Sequence, residues 1–455
     1  MQSAEPPAVP APAPEPTGTV DASFRRRAVR AAAAGLVGTS IEWYDYFLYG
    51  SAAAVVFPRL FFGNLDGAVA LIFSLATFSV AFALRPIGGF IFGHFGDRLG
   101  RKRMLVVTLV LMGAGTFLIG CLPTQHQIGV TAPILLIALR TLQGLGLGGE
   151  WGGAALVVVE NAPAGRRGIY GCAMQIGVPI GQLMSAGLFA GVASLPDEQF
   201  YSWGWRIPFW FSAVLVAVGF WLRARLTETP HFQQVVRTGQ RTRIPALEVL
   251  RSAKKPTVLL IFVQAGSTVA YYLLTVYSLV YVTDHLHLPR SWALGGVLLG
   301  AGLEICTQPF FAWLSDRFGR RPVYGAGTLF LALYAFPFFW LLDTAREPLV
   351  WLAIVLGLAL GHAATGALHG PLYAEQFPAR FRYTGSSLAY QLSSTVAGAP
   401  APILAGLLVS VTGTSRATSV YVVVACIVSL VCVALLRETY RANLNPQPQP
   451  QPEAA

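Results

Sequence analysis

Charge is scarce in this sequence: Asp, Glu, Lys and Arg supply only 12% of its 455 residues, against about 25% in a soluble domain. That shortage excludes a solvated globular chain. With 54% hydrophobic residues and a mean hydropathy of +0.57, it leaves an all-α polytopic membrane protein. Acidic residues are scarcer than basic ones, 21 against 32, for a formal net charge of +11. An excess of this kind suits nucleic acid only when it forms a basic face on a folded soluble domain. No stretch here supplies one, so nucleic acid is excluded as a partner. Cysteine is rare, and Cys121, Cys172, Cys306, Cys426 and Cys432 lie in or beside apolar runs without metal-type spacing. They read as small hydrophobes, with neither a disulfide nor a metal site expected. No nucleophile or clustered His/Asp motif stands near a membrane interface, so an enzyme is not expected. The N-terminal SAEPPAVPAPAPEPTG lacks the basic-then-apolar order of a signal peptide, and NPQPQPQPEAA at the other end is equally low in complexity. Both tails, 1–30 and 437–455, are expected to be disordered.

What is abundant is apolar sequence in runs of the length that about 30 Å of hydrocarbon requires. Twelve spans are predicted near 31–57, 67–93, 104–122, 132–159, 168–192, 205–225, 256–283, 291–313, 322–342, 347–371, 386–410 and 417–436. They form two six-helix halves, 31–225 and 256–436, around a polar, basic loop at 226–255. Of the Lys and Arg residues, only Arg59, Arg290, Arg346 and Arg416 fall on the loops opposite the N-terminus, and Arg85, Arg140 and Arg206 lie within or at the edges of spans. The positive-inside rule therefore places both termini in the cytoplasm.

The halves repeat. GHFGDRLGRK (93–102) returns as AWLSDRFGRR (312–321), so that Asp97, Arg98, Gly100 and Arg101 reappear 219 residues later as Asp316, Arg317, Gly319 and Arg320. Glu160 and Pro163 in VENAPAGRRG return 215 residues later as Glu375 and Pro378 in AEQFPARFRYTG. Two six-helix halves in parallel repeat are the architecture of secondary transporters that rock around a central site.

The paired DRxGR segments and RTLQGLGLGGEWGG (140–153) resemble the major facilitator superfamily, over about residues 25–440. EWYDYFLYG, RPIGGFIFGHFGDRLGRKR, GWRIPFW (204–210) and LTETPHF (226–232) are similar to the metabolite:proton symporter family within it, and the wording of GHFGDRLGRK to its shikimate and organic-acid branch. Ala312 departs from the glycine often found there. The resemblance implies a monomeric, multi-pass importer of the bacterial cytoplasmic membrane, working by alternating access. Its substrate would be a small organic acid carried with a proton, or an osmolyte such as proline or betaine. No cofactor is implied beyond the proton as coupling ion. Uniport and antiport stay open, as does a permease-like sensor; a channel would show repeated pore rings, which the two-part repeat does not supply.

Ionisable groups within spans are costly, about 2.5–3.5 kcal/mol each on insertion scales, and are kept where they pair or work. Glu42 and Asp45, three apart, share a helix face with Tyr46 and Tyr49 nearby. A carboxylate facing an aqueous cavity can take a proton on one side and release it on the other; the plainer alternative is a helix-binding salt bridge. Asp45 is favoured over Glu42 for coupling. Arg140 matches the superfamily's fourth-helix arginine, which implies partnership with these acids. Arg85 either reaches the cavity or snorkels to the interface. Glu150 is expected to bridge to another helix, Arg206 to be structural or at the entrance, and Glu304 has no counterpart in the family pattern. The two segments Asp97, Arg98, Gly100, Arg101 and Asp316, Arg317, Gly319, Arg320 are expected to anchor the basic side and to latch it in one conformation. Substrate contacts are assigned to Arg85, Tyr272 and Tyr277, then to Gln175, Gln182, Gln308, His362 and Gln391.

Overall fold

The computed structural model describes residues 22–237 and 245–442, and among them the chain is helical without a strand. Twelve long helices follow in order: α1 Ala22–Val55, α2 Gly67–Leu99, α3 Arg101–Cys121, α4 Thr131–Asn161, α5 Arg167–Ala193 and α6 Asp197–Ala224. The second set is α7 Lys254–His285, α8 Arg290–Phe318, α9 Arg320–Leu342, α10 Glu347–Glu375, α11 Ala379–Thr412 and α12 Arg416–Leu435. Eleven are long and apolar enough to cross a membrane. The twelfth, α1, has the length, and its apolar character is diluted by the polar residues of GTSIEWYDY.

Three segments outside the predicted spans differ from the sequence reading. Residues 22–30, assigned to a disordered tail, extend α1; the rest of that tail lies outside the described residues. The connection at 226–255 contains two short helices, Pro230–Arg237 and Pro245–Ser252. Residues 437–442, also assigned to a tail, are tied down through Glu438 and Thr439, while 443–455 lie outside the described residues.

Helix contact within each half depends on small residues, which let backbones approach where hydrocarbon offers no hydrophobic drive. On α5, a Cβ at Gly177 would stand 2.7 Å from the Leu36 carbonyl oxygen of α1, and one at Gly181 would stand 2.7 Å from the Tyr44 nitrogen. On α4, a Cβ at Gly144 would stand 2.8 Å from the Ala81 Cα of α2. These pairs, α1 with α5 and α2 with α4, are the tightest of the first half. Helices α2 and α8 run six and five residues beyond their predicted ends and stop at Gly100 and Gly319, whose φ of 114° and 109° favour glycine. Asp97 and Asp316 thus stand on the last helical turns, and Arg101 and Arg320 open the next helices. Three helices of the second half contain π-helical turns, α7 at Leu273–Tyr277 and Tyr281–His285, α10 at Gly357–His362 and α11 at Ser394–Gly398, and α6 of the first half contains one at Phe200–Gly204.

Candidate functional site

The basic end of the bundle is closed by two equivalent contacts between the halves. Asp97 accepts hydrogen bonds from the backbone N–H groups of Tyr383 (3.2 Å) and Thr384 (2.9 Å) and from the Thr384 hydroxyl (2.8 Å). Asp316 accepts from the N–H groups of Gly168 (2.7 Å) and Ile169 (3.0 Å). Each carboxylate therefore caps the first turn of the fifth helix of the opposite half, where unpaired N–H groups and the helix dipole favour an anion. A shell of ion pairs surrounds both caps. Arg101 pairs with Glu160, which also holds Arg382 at 2.8 Å. Arg320 pairs with Asp316 (2.7 Å) and Glu375 (3.3 Å). Glu228 accepts from the backbone N–H of Arg101, and Glu438 from those of Arg320 and Arg321. Arg98 and Arg317 are exposed and stand outside the latch to which the sequence assigned them.

Above this closed end lies a central cavity of about 40 Å³. The first half contributes Trp43, Arg85, Gln175 and Val178; the second contributes Gln264, Thr268, Tyr271 and Tyr272 from α7, His362 and His369 from α10, and Tyr390 and Ser394 from α11. Its floor is a directed hydrogen-bond chain across the halves. Trp151 Nε1–H donates to Gln175 Oε1 (3.2 Å), and the Gln175 amide meets His369 Nδ1 (3.3 Å). His369 Nε2 meets the Tyr324 hydroxyl (3.4 Å), which donates to the Val263 carbonyl (3.1 Å). This order makes His369 a neutral Nε2–H tautomer. Tyr390 stacks flat on Trp151, with ring centroids 3.6 Å apart. On the other side the cavity is covered by an aromatic layer, with the Tyr46 and Tyr272 hydroxyls 3.3 Å apart and Trp43 edge-on to Tyr271. Ligand pockets hold about 300–1,000 Å³, so this layer and the walls must separate for a metabolite to enter.

The first half buries an ion network beside the cavity. Glu150 and Arg223 form a closed pair, with the Thr108 hydroxyl donating to Glu150 at 2.7 Å. This is the bridging role expected of Glu150. Asp45 and Arg140 are different. Asp45 is buried with the Thr116 hydroxyl as its hydrogen-bonding neighbour and is not closed onto Arg140, whose Nε and Nη2 have no partner. Arg140 donates to Gln143 (3.1 Å), Gln143 donates to Thr116 (2.7 Å), and Thr116 and Arg140 are the polar groups that act on Asp45. The Arg140 guanidinium lies 3.9 Å from the Tyr49 ring centroid. Glu42 is buried with Oε2 unpaired, in the field of Glu150, Arg85 and Arg223. Arg85 lies over the rings of Phe82 and Tyr46, and its Nε is also unpaired.

A family model described as Major Facilitator Superfamily matches residues 35–402, with a second match over 304–455. The chain belongs to the major facilitator superfamily. It is 42% identical over 422 residues to the shikimate transporter of Escherichia coli (strain K12), covering 91% of this chain and 96% of that one. It is 41% identical to the inner membrane metabolite transport protein YhjE of the same organism, covering 90% and 94%. The proline/betaine transporter of that strain is 34% identical, with coverage of 92% and 85%. Among solved structures, the proton:xylose symporter XylE bound to 6-bromo-6-deoxy-D-glucose matches with a TM-score of 0.72 at 16% identity, covering 91% of this chain and 97% of that one. The twelve-helix architecture in two halves is thus the superfamily fold.

Within that fold, Arg85, Tyr272, Gln175 and His362 line the cavity as expected from sequence, whereas four other candidates do not. Tyr277 packs against Tyr281 and Phe339, about 7.5 Å further along α7 than Tyr272. Gln182 lies seven residues beyond Gln175 on α5, outside the wall. Gln308 is buried below Glu304 with Oε1 unpaired. Gln391 donates to the carbonyls of Leu147 and Gly148, joining α11 to α4. Arg206 donates to the carbonyls of Gly120 and Leu122 at 2.7 Å, capping the end of α3. Glu304, left without a role by the sequence, holds His362 at 2.6 Å. The sequence reading also missed Glu228 and Glu438, although LTET (226–229) and LRET (436–439) repeat 210 residues apart.

Proposed function

We propose that the protein imports a small carboxylate by proton symport across the bacterial cytoplasmic membrane, with its basic end facing the cytoplasm and the monomer as the working unit. The observation that carries this reading is the open Asp45/Arg140 pair. A pair kept only for structure closes, as Glu150 and Arg223 do, because uncompensated buried charge is expensive. A carboxylate held only by a neutral hydroxyl, beside a guanidinium with unspent nitrogens, is available to a proton and to changing partners. Guanidinium keeps its charge, so protonation falls to Asp45, with Glu42 as the second acid facing the cavity side. Arg85, in the wall with an unspent Nε–H, supplies the cation that a substrate carboxylate would meet. The relatives that carry shikimate or proline/betaine support a small polar anion or zwitterion, and the arginine favours the anion.

Uptake into proteoliposomes, with and without an imposed pH gradient, tests this. A radiolabelled panel of organic acids, betaine and proline should show an acid accumulated only with the gradient. Asp45→Asn should abolish that accumulation while retaining exchange of substrate across the membrane. Wild-type accumulation in both Asp45→Asn and Glu42→Gln removes the coupling role, and transport of the uncharged ester as well as the acid removes the arginine as its reader.

A further inference from the structure

The wall contributed by the second half contains a carboxylate–histidine pair that the proton mechanism does not use. Glu304 on α8 and His362 on α10 are buried, 2% and 8% exposed, with His362 Nδ1 2.6 Å from Glu304 Oε1. An ionised carboxylate only accepts, so Nδ1 carries the hydrogen and Nε2 is the ring nitrogen left to the cavity, a lone-pair acceptor whenever the ring is neutral. No hydrogen bond engages Nε2 among the described residues, and the ring forms part of the cavity wall. The Tyr271 ring lies 4.5 Å from it, centroid to centroid, and the Tyr271 hydroxyl is buried without a partner. The Tyr373 hydroxyl is shared between the Leu260 carbonyl (2.7 Å) and Gln264 Oε1 (2.9 Å), and the Gln264 side chain also hydrogen-bonds Tyr390 in the same wall. The second half's wall thus offers an oriented imidazole nitrogen with the unpaired Tyr271 hydroxyl beside it and no Lys or Arg. Arg85 stands on the other wall.

Resting on the carboxylate reading above, we propose that the Glu304–His362 pair reads a hydroxyl group of the carried acid, making the protein selective for hydroxylated carboxylates over deoxy acids and quaternary amines. His362 Nε2 accepts from the ligand O–H, while Glu304 is a positioning residue that fixes the tautomer. A deoxy acid leaves the lone pair unpaired in a dehydrated site, and sites built to bond a hydroxyl reject such analogues strongly. A quaternary ammonium has no hydrogen to give.

The test compares uptake kinetics for shikimate, as a hydroxylated cyclic carboxylate, with cyclohexene carboxylate, its hydroxyl-free counterpart. The wild-type protein should favour shikimate in kcat/KM. His362→Phe and Glu304→Leu should each shrink that preference by about tenfold to a hundredfold, through loss on shikimate alone. Glu304→Gln, whose carbonyl still accepts from Nδ1–H, should keep most of it. If both acids lose equally in His362→Phe, the pair only pins α8 to α10 and the proposal falls. A second measurement stands independent of the variants' folding: shikimate should raise the Tm of the purified wild-type protein, and cyclohexene carboxylate and glycine betaine should not. Equal stabilisation by the two acids overturns the hydroxyl reading and leaves carboxylate transport standing; stabilisation by glycine betaine alone overturns the organic-acid reading itself in favour of a zwitterion.

Discussion

At the basic end the two halves correspond residue for residue, Asp97 with Asp316, Arg101 with Arg320, Glu160 with Glu375 and Glu228 with Glu438, each in an equivalent contact. At mid-membrane they part company. The first half buries Glu42, Asp45, Arg85, Arg140, Glu150 and Arg223, whereas the second buries Glu304 on α8 with His362 and His369 on α10, a helix interrupted by a π-turn. Closing a face between two rocking halves requires matching contacts from both, so the repeat preserves them. A proton site or a ligand contact is needed once, and the two halves are free to divide the chemistry. Such π-turns recur at functional sites, and three of the five among the described residues fall beside Tyr272, at His362 and at Ser394 in the cavity wall, the others at Phe200–Gly204 and Tyr281–His285 lying outside it.

The largest effect should come from setting the closed ion pair of the first half against its open one. Arg223→Met leaves Glu150 buried without its cation, a change that costs about 3–5 kcal/mol when a buried pair is broken. Asp45→Asn removes a buried charge that no closed ion pair holds, and the amide oxygen can still accept from Thr116, so stability should hold or rise. Thermal unfolding of the purified variants in detergent checks this: a steep fall in Tm for Arg223→Met beside an unchanged or raised Tm for Asp45→Asn. Equal losses would make both pairs structural and dissolve the distinction.

The next effect tests the symmetry of the latch. Asp97→Asn and Asp316→Asn each replace an anion at a helix N-terminus by a neutral amide. Both should slow uptake, by about tenfold or more on the usual worth of charged hydrogen bonds, while substrate affinity stays within several-fold. Cysteines introduced at the cavity floor should become more reactive to thiol reagents in both variants. A response from Asp97→Asn alone would show that the second contact anchors without gating, and lost binding with unchanged reactivity would show that these residues support the site instead.

Much of this was legible in the sequence where repetition exposed it. Asp97 and Asp316 stand out because the same short segment recurs at the same point of each half. Twelve spans follow from run length, and even α1 was visible despite its carboxylates. Glu228 and Glu438 were equally repeated, yet a four-residue echo beyond the sixth and twelfth spans carries little weight until both are seen on the N–H groups of Arg101 and Arg320. The cavity was harder. Glu304 and His362 are 58 residues apart on different helices, and no periodicity within either helix announces the pair. His369 was hidden in the same way, since its partners Gln175 and Tyr324 belong to α5 and α9. Tyr277 misled because tyrosine near mid-span suits a ligand and an aromatic cluster equally; depth along α7 decides, and composition does not record it.

That depth gives the smallest and sharpest prediction. Tyr272 belongs to the aromatic layer that joins the halves over the cavity, its hydroxyl 3.3 Å from that of Tyr46, while Tyr277 touches only Tyr281 and Phe339 of its own half among the ring contacts. Removing the Tyr272 hydroxyl leaves that of Tyr46 without this partner, and a neutral hydrogen bond is worth about 0.5–1.5 kcal/mol. The covered state is the one that bond favours, so Tyr272→Phe should shift the balance toward opening on the side away from the basic end. Tyr277→Phe breaks no contact between the halves and should leave that balance alone. Uptake kinetics on the two variants decide the matter: a several-fold change in KM or maximal rate for Tyr272→Phe, and wild-type values for Tyr277→Phe. An equal change in both would mean that the cover extends along α7 to Tyr277, and that the first half meets the second through a deeper aromatic plug than the Tyr46–Tyr272 contact alone.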